Sequence, residues 1–359
     1  MKTDTGTDTN LTPNWRHVGA FLGLTFGLTW LLDLAVYLRG GLHAPGMLSV
    51  LQPQGLLPAF SAILLGLLFF RESPIHHSRP AGRGRWFYYY FLFLTVIYAL
   101  GALAVWLAPA PGSIEQLATV IPLLLGFLGV LVLVVLRVAA GREAMARVWL
   151  AWGHLRYWLV FGLAVIAYYV VQAALNAYFR LGGASLAPNV IPPGLSLDTF
   201  VILAAVQSVL LVPILGIVII FGEEYGWRGY LQTELFKMGR VPGVLLLGVI
   251  WAAWHWPLIL MGYNYPGHPL LGVLLMTLYT TGNAFVLAYA VLKSGSVLLA
   301  AYLHGINNEV VNLIAALGYK PFDSAFSFGI GIYGIVTLAI VVLLILRDPI
   351  WRGKGNSLP

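Results

Sequence analysis

The chain is laid out as long apolar runs separated by short polar breaks. A helix that crosses a bilayer needs about 20 mostly apolar residues. Ten runs meet that length: Val18 to Leu38, Met47 to Phe70, Trp86 to Leu107, Leu117 to Leu136, Tyr157 to Phe179, Thr199 to Phe221, Val241 to Met261, Pro269 to Leu292, Ser296 to Leu317 and Phe326 to Leu346. The first follows a polar stretch, is too long for the core of a signal peptide and has no small-residue cleavage site behind it. It therefore reads as an uncleaved span. No fixed-period repeat, heptad or low-complexity tract interrupts the series. The pattern predicts an all-α polytopic membrane protein of about ten transmembrane helices.

Composition strengthens this reading. The 359 residues are 60% hydrophobic and only 9% charged, where a soluble chain would carry roughly 25% charged residues. Cysteine is absent, which excludes a disulfide framework, a cysteine-held zinc or iron–sulfur site and thiol catalysis.

The net charge of +7 could signal nucleic acid, but its distribution points elsewhere. With the N-terminus inside, the inner segments hold 17 of the 20 basic residues, and the outer loops hold only Arg39, Arg180 and Lys320. Lysine and arginine favour cytoplasmic loops, so the count predicts that both termini are cytoplasmic. The arginine-rich stretches Arg71 to Arg85 and Arg137 to Arg156 read as orientation signals in contact with anionic headgroups, and His76 and His77 as solvated loop residues. Without interleaved aromatics or a recognised binding fold, no nucleic-acid partner is expected. The partner is the lipid bilayer.

Ionisable groups inside spans are costly and mark function by default. They are Asp33, Glu223, Glu224, Arg228, His255, His304 and Glu309, with Asn308 beside the last two. Glu224 and Arg228 are four apart and share a helical face, where they can pair and leave Glu223 free for chemistry; a solvated charge cluster at a helix end is the bland alternative. Trp251 and His255 share a face by the same spacing, as do His304 and Asn308. Each histidine alone could be a packed core residue. Together with the glutamate motif, all within the last 140 residues, they favour function and place the catalytic helical bundle in the C-terminal half.

These motifs resemble the CPBP family of intramembrane proteases, which includes the CAAX prenyl endopeptidases and the bacteriocin-immunity and lysostaphin-resistance type proteins. The family pattern has Glu-Glu followed by Arg, Phe followed by His, and His followed by Asn; here it reads Glu223-Glu224 with Arg228, Trp251 with His255, and His304 with Asn308. Trp251 stands where the pattern has Phe. The resemblance covers about Thr199 to Leu317 and implies a protease core over 198–317, an N-terminal membrane region of about five helices over 1–197, and a last helix with a basic cytoplasmic tail over 318–359. It implies an endopeptidase acting on membrane-associated, prenylated or leader peptides. Glu223 would be the general base, His255 would position the water, His304 and Asn308 would donate to the oxyanion, and Glu224 with Arg228 would hold the helix in register. The surrounding phrases look like the bacterial branch, which implies a bacterial plasma-membrane protein.

Glu223, His255 and His304 also match the ligand set of a hydrolytic Zn2+ site. The histidines lie on different helices with no His-Glu-x-x-His pattern, and the balance favours water activation without an obligatory metal. Counted along these spans, the three residues sit at unequal depths, which the boundaries must resolve by placing the site in the inner leaflet, open to the cytoplasm. Two rivals remain. One is a catalytically idle immunity or binding protein on the same scaffold. The other is a secondary transporter with Asp33, Gln172, Asn176 and Glu309 along its path; its expected paired repeats are missing.

Overall fold

The computed structural model describes residues 12–70, 82–108, 110, 112–184 and 191–353; most of the arginine-rich stretch from Arg71, with His76 and His77, lies outside them. The chain is helical almost throughout: α1 (Trp15–Leu38), α2 (Met47–Leu68), α3 (Trp86–Leu107), α4 (Gly112–Arg147), α5 (Leu155–Tyr178), α6 (Leu197–Leu215), α7 (beginning Ile217–Glu224), α8 (Arg240–Leu260), α9 (Pro269–Ser294), α10 (Val297–Leu317) and α11 (Ile332–Ile345). Eight of these are long and apolar enough to cross a membrane, which makes this a multi-pass integral membrane protein. Among the described residues the departure from all-α is small, two three-residue strands, β1 (Gly182–Ala184) and β2 (Tyr319–Pro321), paired antiparallel.

Four boundaries differ from the hydropathy reading. The run from Thr199 to Phe221 is broken at Gly216, behind a wide π-helical turn at Gln207–Leu211 and Pro213, which has no N–H to donate. α7 then continues beyond Glu224 through a second π-helical stretch, Tyr225–Leu231, then Gln232–Leu235 and a final tight turn, Phe236–Met238. Its polar residues hid it as a loop; Glu224, Arg228, Gln232 and Glu234 are all buried. Arg228 is therefore not a loop cation. α4 runs on to Arg147 with a kink at Gly141, so Arg137, Arg142 and Arg147 stand on a helix end. α11 is shorter than its run, because residues 318–331 form β2 and a turn-rich segment.

Contacts between helix ends define two faces. On one, the backbone N–H of Asn14 donates to Glu234 at 3.1 Å, Ser296 to the Ala151 carbonyl at 2.6 Å, Tyr88 to the Val148 carbonyl at 2.9 Å, and Lys293 pairs with Asp348 at 2.5 Å. This face carries Arg16, Arg83, Arg85, Arg137, Arg142, Arg147, Arg156, Lys237, Arg240, Lys293, Arg347 and Arg352. On the other, Arg39 donates to the Trp106 carbonyl at 2.6 Å, Ser49 to Glu115 at 3.1 Å, His268 meets Asp323 at 2.9 Å, and β1 pairs with β2. Among the described residues, its basic residues are Arg39, Arg180 and Lys320.

The core forms where α7 packs against α2. A Cβ on Gly222 would fall 2.2 Å from the Gly55 carbonyl oxygen, and one on Gly226 would fall 2.4 Å from Pro58 Cβ. Only glycine lets the two backbones come this close.

Candidate active site

Gly239, at a φ of 109°, turns the chain between α7 and α8. Glu223 lies sixteen residues before it and His255 sixteen residues after it. In an antiparallel helical hairpin, positions equally far from the turn come to the same depth. This resolves the mismatch in the hydropathy reading, which ended the glutamate helix at Phe221.

Trp251 organises the site. Its indole Nε1 donates to Glu223 Oε2 at 3.0 Å. The His304 ring meets it edge-on at 5.7 Å between centroids, the His255 ring lies at 5.9 Å, and the Arg228 guanidinium sits over it at 4.1 Å. A phenylalanine at this position would keep the walls and lose the N–H.

Behind this layer lies a buried ionic cluster. Arg228 Nη1 reaches the Glu224 carboxylate at 3.1 Å, with both side chains fully buried. Glu224 Oε1 also meets His304 Nδ1 at 2.7 Å. A carboxylate only accepts, so His304 Nδ1 carries the proton and donates, leaving Nε2 as the ring's second polar atom. His255 is set the same way, its Nδ1 within 2.8 Å of the Trp251 carbonyl, an acceptor that requires an Nδ1–H and leaves the Nε2 lone pair open. Trp254 anchors this part of α8 to α1 by donating to Thr29 at 2.8 Å.

Glu223, His255, His304 and Asn308 line one cavity of about 500 Å³. Glu224 and Arg228 stand behind it rather than in its wall. Among the lining residues are also Tyr279, Asn283, Asn307 and Asn312, which the hydropathy reading did not single out. Tyr279 donates to Tyr169 at 2.6 Å, Tyr169 donates to Asn307 Oδ1, and Asn307 Nδ2 donates to Asn308 Oδ1 at 3.1 Å. With its oxygen engaged, Asn308 keeps its amide N–H groups for a ligand. The available signal was the adjacency of Asn307 to the third motif and the four-residue spacing of Tyr279 and Asn283 on α9.

The lining reaches outward to Leu48, Tyr263, Asn264 and Ile330, all at helix ends on the face away from the arginines. The expectation of a mouth on the arginine-bearing side is therefore corrected. That expectation followed from treating residues 222–240 as a loop beside the site, when 222–238 are the rest of α7.

The transporter candidates have structural partners. Gln54 donates to Asp33, Gln172 accepts from Gly329 N–H at 3.2 Å and from Thr337 at 3.1 Å, and Asn176 bonds Phe328 through both ends of its amide, at 2.9 and 3.1 Å. Glu309 is not among the cavity-lining residues. As for a metal, among the described residues no group of three or more histidine, aspartate or glutamate side chains converges to hold an ion. As placed, Glu223, His255 and His304 form no such group, and a metalloprotease assignment has no support here.

Residues 205–310 match a family model described as Rce1-like, type II CAAX prenyl endopeptidase Rce1-like. The matched segment holds α7, α8 and most of α10, and with them all three motifs, so the Rce1-like resemblance and the cavity coincide. At the level of that family the scaffold is a protease scaffold. Comparison with curated proteins and with solved structures gave no match.

Proposed function

We propose that the chain is an intramembrane endopeptidase in which Glu223 activates a water for attack on a peptide carbonyl. What carries this reading is the convergence of Glu223, His255, His304 and Asn308 on one cavity within the Rce1-like segment. Glu223 Oε2 is held by the Trp251 N–H, which leaves Oε1 to take a proton. The Nε2 lone pair of His255 accepts a hydrogen bond from the same water and orients it.

As Glu223 takes the proton, the hydroxide oxygen bonds to the carbonyl carbon and the carbonyl oxygen becomes an oxyanion. The Asn308 amide donates to it directly. His304 Nε2 donates to it when the ring is doubly protonated, with Glu224 as its counter-ion. The C–N bond then breaks, the departing amine takes the proton from Glu223, and one carboxylate and one amine product leave. No metal enters the sequence. Fixed donors aimed at developing charge in a low-dielectric site supply the largest share of such catalysis.

The test compares membrane peptides from cells expressing wild type and Glu223→Ala. The proposal expects at least one membrane-proximal peptide to accumulate uncleaved in the variant. No difference, with both proteins expressed to equal levels, would favour the idle binding reading.

A further inference from the structure

We propose that the cavity opens on the extracytoplasmic side of the membrane and takes an internal segment of a membrane-inserted or translocated polypeptide presented from that side. Two independent observations carry the side. The cavity lining reaches Leu48, Tyr263, Asn264 and Ile330, which belong to the face bearing β1 and β2 and the His268–Asp323 pair. The basic residues gather at the opposite ends of the same helices, from Arg137, Arg142 and Arg147 on α4 to Lys237 and Arg240 at the α7–α8 turn. Lysine and arginine next to span ends mark the cytoplasmic side. The two faces are tied to opposite ends of shared helices, so fixing one fixes the other.

The lining also bears on the substrate. Among the described residues that line it, Glu223 is, beside two histidines, the one acid or base of full charge, and neither lysine nor arginine is present. A peptide ending in a free carboxylate at this depth would meet a glutamate and no cation. An internal segment carries only neutral amides there, and Asn283, Asn307, Asn308 and Asn312 match that chemistry with carboxamide donors and acceptors. This part rests on the protease reading above; the side of opening rests on geometry and charge alone.

The chain has no cysteine, so single cysteines report position cleanly. Asn312→Cys places one in the cavity wall, Lys320→Cys one on β2, and Arg142→Cys one on the arginine-rich face. Intact cells are treated with a membrane-impermeant maleimide, and inverted vesicles in parallel. Labelling of positions 312 and 320 but not 142 in cells, with the reverse in inverted vesicles, is the expected result. Labelling of 142 in cells, with 312 and 320 reacting only in inverted vesicles, overturns it. The readout needs no hydrolysis, and the same pattern is expected in the Glu223→Gln background, so failure of the protease reading leaves it intact. For the substrate, proteinase K added to intact spheroplasts should digest the peptides that accumulate in Glu223→Ala cells; resistance there, with digestion in inverted vesicles, contradicts an extracytoplasmic substrate.

Discussion

The indole N–H of Trp251 donates to Glu223 at 3.0 Å, while the same ring supports His255, His304 and Arg228. A hydrogen bond to a charged group contributes about 1.5–3 kcal/mol, which is roughly a 10- to 100-fold change in rate. Trp251→Phe should therefore lower kcat by about that factor with KM little changed, because the ring walls remain. Steady-state kinetics on any cleaved peptide check this; an unchanged kcat would make the indole N–H irrelevant to the chemistry.

In the proposed mechanism the Asn308 amide is the oxyanion donor that needs no protonation. Removing one such donor costs roughly 100- to 1000-fold in rate. Asn308→Ala should show that loss, whereas Asn307→Asp, which keeps an acceptor for Tyr169 but cannot donate to Asn308, should show a smaller one. Equal losses would mean that Asn307 acts for itself rather than by orienting its neighbour.

Breaking a buried ion pair from one side costs about 3–5 kcal/mol, because the remaining charge is left uncompensated. Arg228→Met should thus lower Tm markedly and loosen His304 through their shared partner, Glu224. Glu224→Gln, Arg228→Met together should recover part of the loss. A double variant no more stable than the single one would sink the ion-pair account.

Overpacking of a close contact costs typically 1–3 kcal/mol. Gly222→Ala puts a methyl 2.2 Å from the Gly55 carbonyl oxygen, and this backbone contact cannot yield without moving α2. The expected outcome is a lower Tm in detergent, measured beside Gly19→Ala, where an added Cβ meets nothing within 4 Å and stability should hold.

On the arginine-rich face, the Lys293 ammonium and the Ile350 N–H draw the Asp348 carboxyl down to about 2. A carboxylate whose pKa is depressed on folding stabilises the fold above its unfolded value, near 4, and loses that contribution as pH falls towards 2. The Tm difference between wild type and Asp348→Asn should be constant above about pH 5 and shrink across that window. A difference that stays flat down to pH 2.5 would contradict the pairing.

Much of the helical layout was legible because lipid demands long apolar stretches, and the three motifs were legible because charge inside such stretches is conspicuous. The continuation of α7 was not. Its buried Glu224 pairs with Arg228 and His304, and its Glu234 with Lys237 and the Asn14 N–H, and a hydropathy count cannot tell an internally paired polar helix from a wet loop. That misreading ended the glutamate helix at Phe221 and left Glu223 at an apparent depth unlike that of His255. The Tyr169, Tyr279 and Asn307 network was hidden for a different reason: tyrosine in a span is ordinary, and only the packing of α5, α9 and α10 gives these three a common purpose.

The claim that Glu223 activates the water is tested most directly by Glu223→Gln. The amide keeps the size and can still accept from Trp251, so the fold should be retained, but it cannot take a proton. General-base removal costs about 100- to 10,000-fold. Purified wild type and variant in liposomes, given a membrane peptide identified as a substrate, should differ by at least 100-fold in initial rate at equal Tm. Cleavage by the variant at the wild-type rate would contradict the account.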